Sequence, residues 1–194
     1  MNTNIYSFRR SLMGRWFLLC FCCLPVLGLA DANQGEMGGY QLGQRYAMDT
    51  ATQWQAENDK SVKIATQQAV KPEGVDKVYV YASPTSHTIG KIIYQNEYPD
   101  LDSAAAAAEA YKNQLQAQYP DWDRLKAPIP MGKAGGAIVS RMQSGAYALI
   151  VYYKAKDDAA QLVVELEYGA SSAEKKAWRK QLREEATSAA PAAS

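Results

Sequence analysis

The stretch Ala160-Gln161-Leu162-Val163-Val164-Glu165-Leu166-Glu167-Tyr168 decides the fold. Leu162, Val164, Leu166 and Tyr168 recur at every second position, and Glu165 and Glu167 take the alternate ones. Side chains on a strand alternate between faces, so this pattern belongs to a sheet packed on one side and wet on the other, the habit of antiparallel sheets. Directly after it, Ser171 and Glu174 are spaced as a capping box, and the period changes to that of a helix running to about Glu185 with Trp178 and Leu182 on its inner stripe.

Working upstream, Ala137 to Met142 and Tyr147 to Ala155 alternate in the same way, separated by Ser144-Gly145 and then Lys156-Asp157-Asp158. The second half is therefore a three-strand meander followed by a helix. In the first half, Ser61 to Val70 and Lys77 to Ala82 flank the turn Lys71-Pro72-Glu73-Gly74, and Thr88 to Gln95 makes a third strand stopped by Tyr98-Pro99-Asp100. Asp102 is placed to cap a helix to Gln118, whose stripe of Ala104, Ala108, Tyr111 and Leu115 is one buried face. Residues 124–136, rich in Pro and Gly, read as an irregular connection, and Met48 to Asn58 with Trp54 as a short helix.

The halves echo each other: Glu97-Tyr98 before Ala110-Tyr111-Lys112-Asn113-Gln114-Leu115 is matched by Glu167-Tyr168 before Ala177-Trp178-Arg179-Lys180-Gln181-Leu182. A tandem repeat would do this. The expected fold is α+β, two antiparallel three-strand meanders each followed by a helix, with both helices on one sheet face. In plan this resembles the β-lactamase inhibitory proteins, a likeness of layout carried by no motif.

Arg9, Arg10 and Arg15 precede an uncharged apolar run, Trp16 to Leu29, which is shorter than the roughly 20 residues that span a bilayer as a helix. Residues 1–30 thus read as a secretory signal cleaved near Ala30 or Ala32, and the expected location is the periplasm. Residues 31–39 read as a flexible leader, 40–186 as a single domain and 187–194 as a disordered tail. The full chain carries 21 Lys+Arg and 20 Asp+Glu, and cleavage would remove three arginines and no acids. The remaining charge gives nucleic acid no basic field to follow. Cleavage would also remove Cys20, Cys22 and Cys23, all the cysteines, and with them disulfides, thiolate metal sites and cysteine nucleophiles.

Several groups carry side chains of the kinds that chemistry uses. His87 is the sole histidine and stands beside Ser83, Thr85 and Ser86 without a Gly-x-Ser-x-Gly motif, so a loop tip explains it better than a hydrolase. Glu165 and Glu167 share a strand face and could form a carboxylate pair, the basis of a hydrolase alternative. Tyr98-Pro99-Asp100-Leu101-Asp102 and Tyr119-Pro120-Asp121-Trp122-Asp123 offer oxygen ligands for calcium, yet turn and cap chemistry accounts for both. No metal and no cofactor is expected. Gly132-Lys133-Ala134-Gly135-Gly136 could present N–H groups to an anion but lacks the phosphate-loop order. Lys175, Lys176, Arg179, Lys180 and Arg183 make the last helix basic.

Aromatic usage is the least ordinary feature. The three phenylalanines, Phe8, Phe17 and Phe21, all precede residue 30, while twelve tyrosines and three tryptophans follow it. Such side chains suit surfaces that are part apolar and part wet. Tyr79, Tyr81, Tyr152 and Tyr153, with Trp122 and Lys133, are the expected binding residues. The leading expectation is an exported, non-catalytic module that binds another exported protein, as an inhibitor or immunity-type protein does. The alternatives are an envelope-maintenance factor that binds cell-wall polymer or lipid through the basic helix, and the carboxylate hydrolase.

Overall fold

The computed structural model describes residues 32, 35–47, 53–56, 62–66, 74–132 and 135–188. The expected signal segment, the turn at 71–73, Lys133 and the tail from 189 lie outside the described residues. In chain order the elements are β1 (Glu36–Met37), β2 (Tyr40–Gln41), β3 (Gln53–Ala56), β4 (Val62–Thr66), β5 (Lys77–Ala82), β6 (Ile89–Tyr98), α1 (Leu101–Gln118), β7 (Asp123–Arg124), β8 (Ile129–Pro130), β9 (Gly136–Ser144), β10 (Tyr147–Lys156), β11 (Ala159–Tyr168) and α2 (Ala173–Ser188). β1 and β2 form a small ribbon. The other strands build one sheet in the order β3-β4-β5-β6-β11-β10-β9-β7, with β8 also on β9. Every pairing is antiparallel, so the α+β class stands, and the two meanders meet where β6 pairs with β11.

Register sorts the side chains. Val80, Ile92, Leu166 and Leu149 lie opposite one another across β5, β6, β11 and β10, as do Val78, Tyr94, Val164 and Val151 one step along. All of these are buried. α1 covers this face with the expected stripe, Ala104, Ala108, Tyr111 and Leu115, whose alanines let the helix approach the sheet closely. Burial also pushes the Tyr111 hydroxyl up to about 12. The cap of α1 is Asp100 rather than Asp102: its backbone is extended and its carboxylate accepts the Ser103 N–H at 2.7 Å, while Asp102 sits in the first turn. The Ser103 N–H holds the Asp100 carboxyl below the usual range. Its stabilisation is therefore complete above the ordinary Asp range and lost as pH falls through the lowered value. Asp100→Ala should depress the melting temperature by a few degrees at about pH 7 and leave it near wild type at about pH 2, as followed by circular dichroism.

Three segments depart from expectation. The described part of the expected leader, residues 32 and 35–39, is not loose: Met37 is wholly buried, as Leu42 and Tyr46 are just beyond it, and the Ala32 N–H reaches the Tyr119 hydroxyl at 3.4 Å. The glycines supply tight turns rather than mobility. At Gly38 (φ +63) a Cβ would stand 2.0 Å from the Tyr94 hydroxyl, so only glycine permits that approach. Within the stretch expected as a helix, Gln53–Ala56 is instead a strand on β4, where the free ladder of a sheet edge supplies partners a short helix would lack. The 124–136 connection also gains two short pairings with β9. α2 runs through Ser188, its end fastened by the Thr187 hydroxyl donating to the Arg183 carbonyl at 2.8 Å.

The helices do not share a face. A β-bulge sets Gly90 and Lys91 opposite Tyr81, so both point away from α1, as does Glu167, which pairs with Lys91. Trp178 of α2 lies over Gly90, its indole N–H donating to the Thr88 carbonyl at 3.4 Å, and Lys175 pairs with Glu167. α2 thus crosses one end of the sheet on the side opposite α1. A duplication relating the antiparallel neighbours β6 and β11 would need a two-fold axis normal to the sheet, which would put both helices on one side. The echo between the halves therefore does not extend to three-dimensional symmetry.

Candidate functional site

Among the described elements, only α2 crosses the sheet face away from α1, and it does so at one end. Three cross-strand rows run over the rest. The first is Tyr81, Lys91, Glu167 and Ala148; the second Tyr79, Ile93, Glu165, Ile150 and Arg141; the third Lys77, Gln95, Val163 and Tyr152. Ile93 and Val163 are buried between half-buried tyrosines, so the face has an apolar centre under an amphipathic surface. The Lys91 ammonium stands 4.4 Å from the centroid of the Tyr81 ring. Tyr152 donates its hydroxyl to Glu165 at 2.7 Å, and burial first, then the neighbouring carboxylate, raises its pKa well above the ordinary tyrosine value. At the far end Lys77 and Lys156 flank Glu97 at 2.8 and 3.4 Å, exposed pairs that orient the surface and stabilise it little.

Beside α2 the face deepens into a cleft of about 650 Å³. Trp178 and Leu182 form its wall toward the core, and the cations Lys91, Lys176, Arg179 and Arg183 surround it. Its one acid, Glu167, is held by Lys175, which is buried. Arg179, Arg183 and Lys176 are exposed and form no ion pair among the described residues. α2 is locked in place by polar contacts at the β5–β6 loop. Gln181 donates to the hydroxyls of Thr88 and Ser83 at 3.1 and 3.4 Å and to that of Ser86, while Glu185 accepts the Thr85 N–H at 2.8 Å.

Burial pushes the Glu185 carboxyl up, but the bonds from Gln181, Thr85 and Ser86 outweigh it and hold the group below its ordinary value. This contribution is present above the usual Glu range and disappears as pH falls through the lowered one. Amide exchange should accordingly show residues 181–188 fraying in acid before α1 does; equal protection at low pH would contradict the lock.

Of the expected binding residues, Tyr79, Tyr81 and Tyr152 share this face. Tyr153 does not: as the next residue on β10 it points the other way and packs against the core. Trp122 is buried too, its ring 5.3 Å from that of Tyr119, so it cannot meet a partner. Lys133 lies outside the described residues, and Gly132 and Gly135 turn there with positive φ. The suggested carboxylate pair is engaged on both sides, Glu165 by Tyr152 and Glu167 by Lys175. His87 sits in the β5–β6 loop at φ +60, and the hydroxyls around it serve Gln181. Asp100 and Asp123 stand beyond opposite ends of α1, roughly 27 Å of helix apart, and no cluster of three or more metal-binding side chains occurs among the described residues.

Sequence reasoning did not single out Lys91, Gly90 or the burial of Lys175. A lysine among isoleucines in 89–93 was the available sign, since a cation inside an apolar strand needs a wet face or a counter-charge. Comparison with protein-family models, with curated proteins and with solved structures finds no match.

Proposed function

We propose that the protein is an exported, non-catalytic binding module that engages another exported protein through the sheet face opposite α1, in the manner of an inhibitor or immunity-type protein. The observation that supports this most is the gathering of Tyr79, Tyr81 and Tyr152 with Lys91 on the one sheet face that α1 leaves uncovered. Tyrosines ordered by cross-strand neighbours lose little entropy on binding and present both an apolar ring and a hydroxyl. Leu125 is the single exposed large hydrophobic among the described residues, so the surface favours a mixed polar and aromatic interface over a greasy one. Export rests on the leader-like first thirty residues.

The carboxylate hydrolase is the weaker reading, because Glu165 and Glu167 each already accept from a neighbour. For the envelope-factor reading, α2 supplies charge but turns Trp178 and Leu182 inward, which leaves no apolar stripe to enter lipid. Capture from periplasmic extract on the immobilised protein should give a stoichiometric partner. Combining Tyr79→Ala with Tyr81→Ala should weaken its retention at least tenfold with the circular dichroism spectrum unchanged. Undiminished retention would reject this face as the interface.

A further inference from the structure

We infer that the cleft between α2 and the sheet is a second recognition element, built to take an extended acidic segment of the partner protein. This rests on the proposed protein-binding role and specifies the chemistry of the partner. Lys91, Lys176, Arg179 and Arg183 line the cleft, and its only carboxylate, Glu167, is neutralised by Lys175. The local field therefore favours an anion. Spacing narrows the choice. Arg179 and Arg183 lie one helical turn apart, roughly 6 Å along the axis, and alternate side chains of an extended peptide repeat at roughly 7 Å, so two acids at i and i+2 meet two guanidinium forks. A single phosphate would satisfy one of them.

A lipid surface fits less well, because the apolar residues of α2 are buried against the sheet and the cations sit around a concavity. Lys91 joins the two elements: it lines the cleft and also stands over Tyr81, so a chain in the cleft continues onto the tyrosine face. Arg179 and Arg183 are exposed on the helix, so their replacement should leave the fold intact, with an unchanged circular dichroism spectrum as the check.

The test is titration of the full chain with a synthetic decapeptide of alternating Glu and Ser, its Gln-Ser counterpart, inorganic phosphate, and vesicles containing phosphatidylglycerol. The acidic peptide should bind, weaken steeply with added salt, and lose at least tenfold in affinity in Arg179→Ala with Arg183→Ala. Failure of the acidic peptide to bind, equal binding of the Gln-Ser peptide, or binding only of phosphate or of vesicles would each overturn the inference. Tyr79→Ala with Tyr81→Ala, scored against the captured partner, separates the two ideas. Partner loss there without peptide binding would reject the acidic cleft and leave the sheet-face reading intact. Peptide binding without a tyrosine effect would do the reverse.

Discussion

Gly90→Ala is expected to unseat α2. The added methyl would stand 1.9 Å from Cε2 of Trp178, and the ring has nowhere to retreat because it is only 7% exposed and its N–H is bound to the Thr88 carbonyl. Removing the ring itself, Trp178→Ala, should cost about 3–5 kcal/mol, the usual range for deleting a buried tryptophan. The two changes should be strongly non-additive, since alanine at 90 has nothing to strike once the indole is gone. Urea unfolding would measure the energies and amide exchange over 173–188 would locate them. Wild-type stability in Gly90→Ala would mean that α2 does not rest on the bulge.

The second large effect is at the buried ion pair. Glu167→Gln strands the Lys175 ammonium, which is 7% exposed, and should destabilise the protein by about 3–5 kcal/mol. Replacing both partners, Glu167→Leu with Lys175→Met, should restore most or all of that, because desolvating two charges offsets much of their attraction. Calorimetry of the single and double variants reads the difference. A double variant as unstable as Glu167→Gln would show that the pair contributes net stability beyond mutual neutralisation.

Much of this architecture was legible because it follows from periodicity. The alternation in 160–168 gave the burial of Leu162, Val164, Leu166 and Tyr168, while Gln161 and Val163 on the other face are buried as well, and the spacing of Ala104, Ala108, Tyr111 and Leu115 gave the face of α1. The Trp178–Leu182 stripe gave the existence of α2, although the helix is capped by Ser172, whose hydroxyl accepts the Lys175 N–H at 3.0 Å, and not by the expected box of Ser171 and Glu174. A stripe says what a helix buries and not which side of a sheet it lies on. The short loop at 169–172 permits either side, and Gly90 decides between them by leaving the indole a seat.

For the site, the two-residue period already separates Tyr152 from Tyr153, so only one of them could belong with Tyr79 and Tyr81. Trp122 shows the opposite difficulty: a tryptophan in an irregular segment carries no periodic cue, and its burial on Tyr119 is a tertiary fact. The glycines of 35–43 could signal looseness or tight turning, and Tyr94 and Tyr147 close behind them settle it as turning. The cleft was half legible, since the basic residues of α2 were evident while Lys91, supplied from a strand some 90 residues earlier, was not.

Hydrogen exchange on the protein bound to its captured partner, compared with the free protein, tests the account most directly. Bound partner should slow exchange in 77–82, 89–93 and 173–188, the strands and helix that border the tyrosine face and the cleft, and leave α1 unchanged. Slowing confined to α1 and residues 35–47 would place the interface on the other side of the sheet and contradict it.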